Sequence, residues 1–294
     1  MSYLSGQPMY CYTLAMELAR EHQVTLVSCF SGEISDIGRG IMRENLMKCG
    51  VVCFDFSEYN GGDYDIAFLS ERISEQVIPK IFCRKIVNIV HSEYACETPI
   101  SQSKIYRYVA VRPAIKDHLI SEHAIVPDKI NIIYNGVDRN RFDPKKRKSR
   151  DRTHRQIVIP CLMDKIRRKF LNYAISQASK HLRINIYGIH RNARIGTWKK
   201  YLPRFLYKMF PLRWGMGKYV QIFDPVWNIE DVLASADEVW GILLGRVNLE
   251  ANSMVIPSRI FDPVTLKNEL FLLNDAEFDK RHNIKNVAQK LLNL

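Results

Sequence analysis

Four stretches of this sequence combine side chains that bind or move charge. GRVNLEANSMVIP, Gly245 to Pro257, carries Gly245, Arg246 and Glu250 within about two helical turns. A carboxylate such as Glu250 accepts from two hydroxyls at once; a Glu near a helix start is also favoured by the helix dipole alone. Gly245 lets a ligand approach the backbone, and Arg246 suits either a phosphate or solvent. CLMDKIRRKF, Cys161 to Phe170, brings together Lys165, Arg167 and Arg168, which read as a grip on an anion or as an exposed basic helix face. His91 ends the apolar run IVNIVH. Sites in α/β proteins form at the carboxyl ends of strands, although a lone His there also serves as a rim residue. Gly6 opens a helical stretch, where glycine is also an ordinary cap.

These residues need elements to position them. QVTLVS, VVCFDF, YDIAFL, KIVNIVH, YRYVAV and KINIIY in the first half read as strands. Near-continuous apolar runs of this kind fit a parallel sheet covered on both faces. Helical stretches such as Met9 to Arg20 and Pro113 to Glu122 lie between them. The alternation restarts with QIVIP, RINIYG, YVQIFD and EVWGIL. Asn228 is expected to cap a helix over NIEDVLASA, with Ile229, Val232, Leu233 and Ala236 on one face. Between the halves, Lys145 to Arg155 holds seven Lys/Arg in eleven residues and no apolar side chain, which reads as an exposed linker. At roughly 150 residues per domain, the 294 residues suit two α/β domains, expected at 1–143 and 156–294 with the linker at 144–155. A doubly wound domain usually opens with a strand before its glycine turn. This chain opens at the turn, so its first strand is expected to be missing, through a late start or a sheet completed otherwise.

Apolar residues at 47% and charged residues at 25% exclude disorder, collagen and coiled coil as the main architecture. No apolar run approaches the roughly 20 residues of a membrane-spanning helix, and no secretory signal is legible, which predicts a cytoplasmic protein. The 43 Lys+Arg against 31 Asp+Glu give +12, favouring anionic partners: nucleotides, nucleic acid or an anionic membrane face. The seven scattered cysteines read as reduced, mostly buried thiols. Cys49 and Cys53 lack a second pair or a nearby His for zinc, and no metal site is expected.

Taken together, four stretches resemble family 4 retaining glycosyltransferases of the GT-B fold. They are SGQPMYCYTLAMELAREHQVTLVS, YVAVRPAIKDHLISEHAIVPDKINIIYNGVDRNRFDP, WNIEDVLASADEVWG and GRVNLEANSMVIP. NGVD followed by Phe142 is the most specific of these matches. The resemblance implies an α/β fold of two doubly wound, Rossmann-like domains facing a cleft. It further implies an enzyme of class EC 2.4 that moves a sugar from a nucleotide-diphosphate donor to a polysaccharide or lipid-linked acceptor with retention, without an obligatory metal or other cofactor. Helix N-termini and fixed cations would stabilise the departing diphosphate.

Carried over residue by residue, the resemblance implies that Glu250 accepts from the ribose hydroxyls and that Gly245 and Arg246 approach the phosphates. Lys165, Arg167 and Arg168 would grip the diphosphate. His91 would reach the transferred sugar, with Glu93 a weaker neighbour, and Gly6 would face the donor across the cleft. Asn135, Gly136 and Asp138 are read as structural. Two departures stand out: Ile242 occupies the place of a second, sugar-facing Glu, and Cys161 the place of an Arg. A terminal helix that crosses back to the first domain is also implied, for which the tail from Phe278 to Leu294 is short.

From Trp198 to Phe210 the sequence sets Trp198, Tyr201, Leu202, Phe205, Leu206, Met209 and Phe210 against Lys199, Lys200, Arg204 and Lys208. That pattern suits a basic amphipathic helix lying on an anionic membrane surface, or an insertion packed on the protein. The alternatives to the transferase are a non-catalytic GT-B scaffold or sugar-binding partner, then a nucleotide-sugar epimerase. A nucleic-acid binder ranks last, because no base-reading module is present.

Overall fold

The computed structural model describes residues 6–28, 37–70, 72–92, 99–100, 103–148, 153–161, 167–188, 217–223, 226–242 and 244–294. Lys165, Glu93 and the Trp198 to Phe210 stretch lie outside them. The chain divides into two compact units, Met1–Asp138 with Asp279–Leu294, and Arg139–Phe278. Both are α/β, with strands that alternate with helices. Among the described residues no helix is long and apolar enough to cross a membrane.

The first unit opens with α1 (Gly6–Leu18), β1 (Thr25–Ser28), α2 (Ile37–Lys48) and β2 (Val52–Asp55). It continues through β3 (Gly62–Ser70), a 3-10 stretch at Arg72–Lys80, β4 (Ile81–Val90), β5 (Ile105–Ala110), α3 (Pro113–Ser121) and β6 (Ile130–Ile132). Strands β3, β4, β5 and β6 form a parallel sheet in that order. Strands β1 and β2 form a separate parallel pair. Among the described residues β1 pairs only with β2, and β3 only with β4. The two sheets are joined instead by α1, which packs Tyr10, Leu14 and Leu18 into the core over Val87, Ile89 and Val109, while Ala15 meets Leu46 and Val51.

The second unit holds β7 (Arg155–Pro160), α4 (Arg168–Ser176), β8 (Leu182–Tyr187), β9 (Val220–Phe223) and α5 (Ile229–Leu233). Then come β10 (Glu238–Gly241), α6 (Arg246–Ser253), β11 (Ser258–Phe261) and β12 (Asn268–Phe271). Its sheet runs β12-β11-β10-β7-β8-β9, all parallel except β12. Helix α4 seats Phe170, Leu171, Ala174 and Ile175 with no exposure against Ile157, Ile159, Ile184 and Ile186. Asn228 does not cap α5: its amide donates to Asp231 Oδ2 at 2.7 Å rather than accepting from the helix. The helix ends at Leu233, before Ala236, so it is shorter than its apolar spacing suggests.

The basic segment differs from a free linker in its first half. Asp143 Oδ1 accepts from Lys145 N at 2.8 Å, Arg147 reaches Val255 O at 3.0 Å, and Lys148 N donates to Ala234 O at 2.9 Å. Backbone and guanidinium donors thus bind 143–148 to the second unit, although the segment contributes nothing to a core. The chain leaves the first unit at Asp138 and returns to it at Asp279. Helix α7 (Asp275–His282) leads to α8 (Ile284–Leu292), which buries Ile284, Val287, Ala288 and Leu291 in the core beneath α1. Residues 279–294, read with the second domain in sequence, therefore belong to the first unit, because the apolar face of α8 finds its partner there. Of the cysteines, Cys49 is exposed and Cys11, Cys53, Cys83 and Cys161 are half-buried free thiols, so these five are not the buried set expected.

Candidate functional site

In the second unit the strand order reverses beside β7. Strands β8 and β9 extend to one side, β10 and β11 to the other. Helices on either side of such a reversal leave a crevice outside the strands' carboxyl ends. At that point β7 ends at Pro160, just before Cys161, β10 ends at Gly241, just before Ile242, and α4 and α6 follow. Arg167 and Arg168 therefore follow one strand of this sheet, and Arg246 and Glu250 follow its neighbour.

Gly245 precedes α6 with extended backbone. Its N–H donates to Asn248 Oδ1 at 3.0 Å, which satisfies one donor at the helix start. One turn on, Arg246 Nε donates to Glu250 Oε1 at 2.7 Å, with side-chain exposures of 6% and 3%. The solvent reading of Arg246 is excluded by this burial. In the same helix Asn252 ties α6 to the strand β12 and the chain after it. Its Nδ2 reaches Asn248 O and Phe271 O at 3.2 Å, and its Oδ1 accepts from Leu273 N at 3.0 Å. Asn248 and Asn252 lie in the quoted NLEAN run, yet nothing in their spacing distinguishes them from surface residues. Burial alone gives them their positions.

Arg167 is half-buried and Arg168 exposed at the start of α4, with Lys169 beside them reaching Val264 O. Cations oppose the dipole at a helix N-terminus. Four fully buried apolar side chains of α4 hold the helix regardless. Lys165 lies outside the described residues. Gly188, at the end of β8, is required by the same edge: a Cβ there would lie 1.7 Å from Cys161 O. Ile242 is 6% exposed and packs in the core, so its place in the fold is apolar.

A second buried carboxylate shows the contrast. Glu238, at the amino end of β10, is 2% exposed. It accepts from Arg155 at 2.6 Å, Arg259 at 2.5 Å and Trp240 Nε1 at 3.0 Å. Saturated in this way, it fastens β7, β10 and β11 and has no part at the crevice end.

In the first unit, His91 follows β4 at its carboxyl end. Its Nε2 lies 3.2 Å from Ser70 Oγ, and its ring meets Tyr10 edge-on at 4.7 Å. Tyr10 sits one turn into α1, so the fold brings His91 to the helix that Gly6 opens. Asn88, not singled out from sequence, is 1% exposed. Its amide donates to Leu69 O at 3.1 Å and accepts from Ile100 N at 3.0 Å, while Tyr108 Oη donates to Ile100 O at 2.6 Å. These two residues fix the backbone at Ile100. A polar Asn inside the apolar run IVNIV was the legible signal.

Asn135, Gly136 and Val137 receive the C-terminal segment. His282 Nδ1 lies 3.0 Å from Asn135 O, Val137 N donates to His282 O at 2.7 Å, and Ile284 N donates to Val137 O at 3.0 Å. A Cβ on Gly136 would lie 2.5 Å from Ile284 Cδ1. The NGVD stretch thus acts in the first unit as a seat for α8.

No protein-family model and no curated protein matches this sequence. Solved structures do match in fold. Anabaena HepE in complex with UDP and glucose is 12% identical with a TM-score of 0.66, covering 97% of this chain and 94% of that one. A glycosyltransferase from Rickettsia africae is 15% identical with a TM-score of 0.64, covering 99% and 85%. Sucrose-phosphate synthase from Thermosynechococcus elongatus is 11% identical with a TM-score of 0.58, covering 87% and 76%. The chain has the fold of the GT-B glycosyltransferases.

Proposed function

We propose that this chain is a retaining glycosyltransferase that moves a sugar from a nucleoside-diphosphate donor to a polysaccharide or lipid-linked acceptor. The observation that carries the reading is that the buried Arg246–Glu250 pair follows β10 while Arg167 and Arg168 follow β7, its neighbour in the sheet. Structures of this fold include one that holds UDP and glucose.

In this reading the donor lies outside the ends of β7 and β10. Arg246 fixes one oxygen of Glu250, and the other accepts from the ribose hydroxyls. Gly245 lets a phosphate approach the first turn of α6, and Arg167, Arg168 and Lys165 meet the charge that grows as the glycosidic bond lengthens. His91, steadied by Ser70 and Tyr10, serves the transferred sugar, and Gly6 leaves room beside α1. No metal is assigned a step. The protein works in the cytoplasm or at the inner membrane face. A scaffold without transfer is the second reading, favoured by Ile242, whose burial leaves no acid at the sugar-facing place.

Thermal unfolding against a panel of nucleoside diphosphates and nucleotide sugars tests the proposal. A ligand at about 100 times its dissociation constant adds roughly 2.7 kcal/mol to the folded state. A shift for one base, weakened in Glu250→Gln while the variant stays folded, supports the donor site. Sugar release with candidate acceptors then follows. A folded chain that shifts with no nucleotide leaves the scaffold reading standing.

A further inference from the structure

Strands of a parallel sheet covered on both faces are apolar along their length. In the second unit β7 follows this with Ile157, Val158 and Ile159, all without exposure. Strands β8 and β9 do not. Arg183, Asn185 and Gln221 alternate there with Ile184, Ile186, Val220 and Ile222. Ile184 and Ile186 pack with α4, so the polar set lies on the opposite face of the sheet. A local rule broken inside an otherwise regular element marks a place where function competes with packing.

That face holds a hollow of about 220 Å³, lined by Gln156, Arg183, Asn185, Lys218, Tyr219 and Gln221. In register, Gln156 pairs with Arg183, and Asn185 with Gln221. Gln156 is 7% exposed and the most buried of the six. The Lys218 ammonium lies 4.9 Å from the centre of the Tyr219 ring. Among the described residues the side chains of Arg183, Asn185 and Gln221 make no hydrogen bond and no ion pair.

The lining holds two cations and no carboxylate, and β7, β8 and β9 carry no acidic residue. Of the nearby acids, Asp237 accepts from the Gln156 backbone N–H at 2.7 Å, and Glu238 is taken up by Arg155, Arg259 and Trp240. The hollow lies away from the crevice. Five positions separate Arg183 from Gly188, beyond the carboxyl end of β8, about 16 Å at the rise of a β-strand.

We propose that this hollow binds a sugar monophosphate. Its phosphate meets Arg183 and Lys218, for which no acid of the lining competes. Carboxamides both donate and accept, as sugar hydroxyls do, and Gln156, Asn185 and Gln221 supply three. The volume lies below the roughly 300 Å³ at which sites for drug-sized ligands begin. That size suits one sugar ring with its phosphate rather than a nucleotide sugar. This site stands apart from the donor crevice and would hold if the chain transferred no sugar.

Titration calorimetry of the full chain with glucose 1-phosphate and glucose 6-phosphate tests it, with glucose and inorganic phosphate as separate arms. At least one sugar phosphate is expected to bind more than about tenfold more tightly than glucose or inorganic phosphate. Arg183→Glu with Lys218→Glu is expected to weaken that binding more than about tenfold. Gln221→Leu is expected to weaken the sugar phosphate and leave inorganic phosphate unchanged. Thermal midpoints should hold, because all three side chains are exposed. Glu250→Gln, altered in the donor crevice, should bind the sugar phosphate as wild type does. Glucose or inorganic phosphate bound as tightly as the sugar phosphates overturns the proposal. Binding that survives the Arg183 and Lys218 double variant, or that Glu250→Gln abolishes, overturns it and moves the ligand to another surface. Absence of binding by both sugar phosphates overturns it outright.

Discussion

Arg246 and Glu250 lie one helical turn apart in α6, their Nε and Oε1 atoms 2.7 Å from each other, in a part of the second unit almost closed to water. A buried pair of this kind adds little net stability over an apolar pair of equal volume, but breaking it leaves one charge without its partner. The arrangement sets the orientation of Glu250 at the crevice edge.

Glu250→Ala is therefore expected to cost about 3–5 kcal/mol. Glu250→Gln, which keeps the shape and an acceptor for Arg246, costs less. Urea unfolding of the two variants checks this. Equal losses would mean that the pair is not the contact that matters. Nucleotide binding is to be read on the Gln variant, where folding is retained.

His91→Ala is expected to lower kcat for sugar transfer by about 10²-fold while nucleotide affinity stays near wild type, since His91 belongs to the first unit and the proposed donor site to the second. Its half-buried ring lies against Ser70 and Tyr10 at the carboxyl end of β4. Steady-state kinetics beside isothermal titration separates the two effects. A loss confined to nucleotide affinity would remove His91 from the sugar's side.

The return of the chain to the first unit depends on α8. Leu291 has no exposure in that core, and Leu291→Ala is expected to cost about 2–5 kcal/mol. Gly136→Ala would set a methyl 2.5 Å from Ile284 Cδ1 and is expected to cost about 1–3 kcal/mol by overpacking. Because both act at one helix, the double variant should lose less than the sum. Additive losses in chemical unfolding would show that Gly136 does not act through α8.

Acid should loosen the turn between β11 and β12. The Thr265 N–H and hydroxyl, with the Val264 N–H, hold the Asp262 carboxyl below the usual aspartate range. A group lowered on folding contributes above its unfolded pKa, and the contribution fades as pH falls through the lower folded value. Amide exchange at Val264 and Thr265, corrected for its intrinsic pH dependence, should therefore quicken below about pH 4. Asp262→Asn should flatten that dependence. A variant with the wild-type profile would assign the change to another group.

Much of the architecture is written in local patterns. The runs IVNIV and IVIP become β4 and β7 because near-continuous apolar side chains fit strands covered on both faces. GRVNLEANS becomes a helix directly after a glycine, and its i, i+4 spacing already permitted Arg246 to meet Glu250. Whether that pair faced solvent or the interior was not a local matter. Burial comes from packing on β10 and β11, the strands that flank α6 in sequence, and that packing exists only once those strands have joined the sheet. Asn88 reads as an irregularity in an apolar strand until Ile100 and Leu69 arrive as its partners. The tail shows the division most plainly. Its amphipathic helix is legible from residues 284–292, but a helix buries its apolar face wherever the chain can bring it. Only the tertiary structure, through the seat at Asn135 to Val137, returns it to α1 rather than to the sheet it follows.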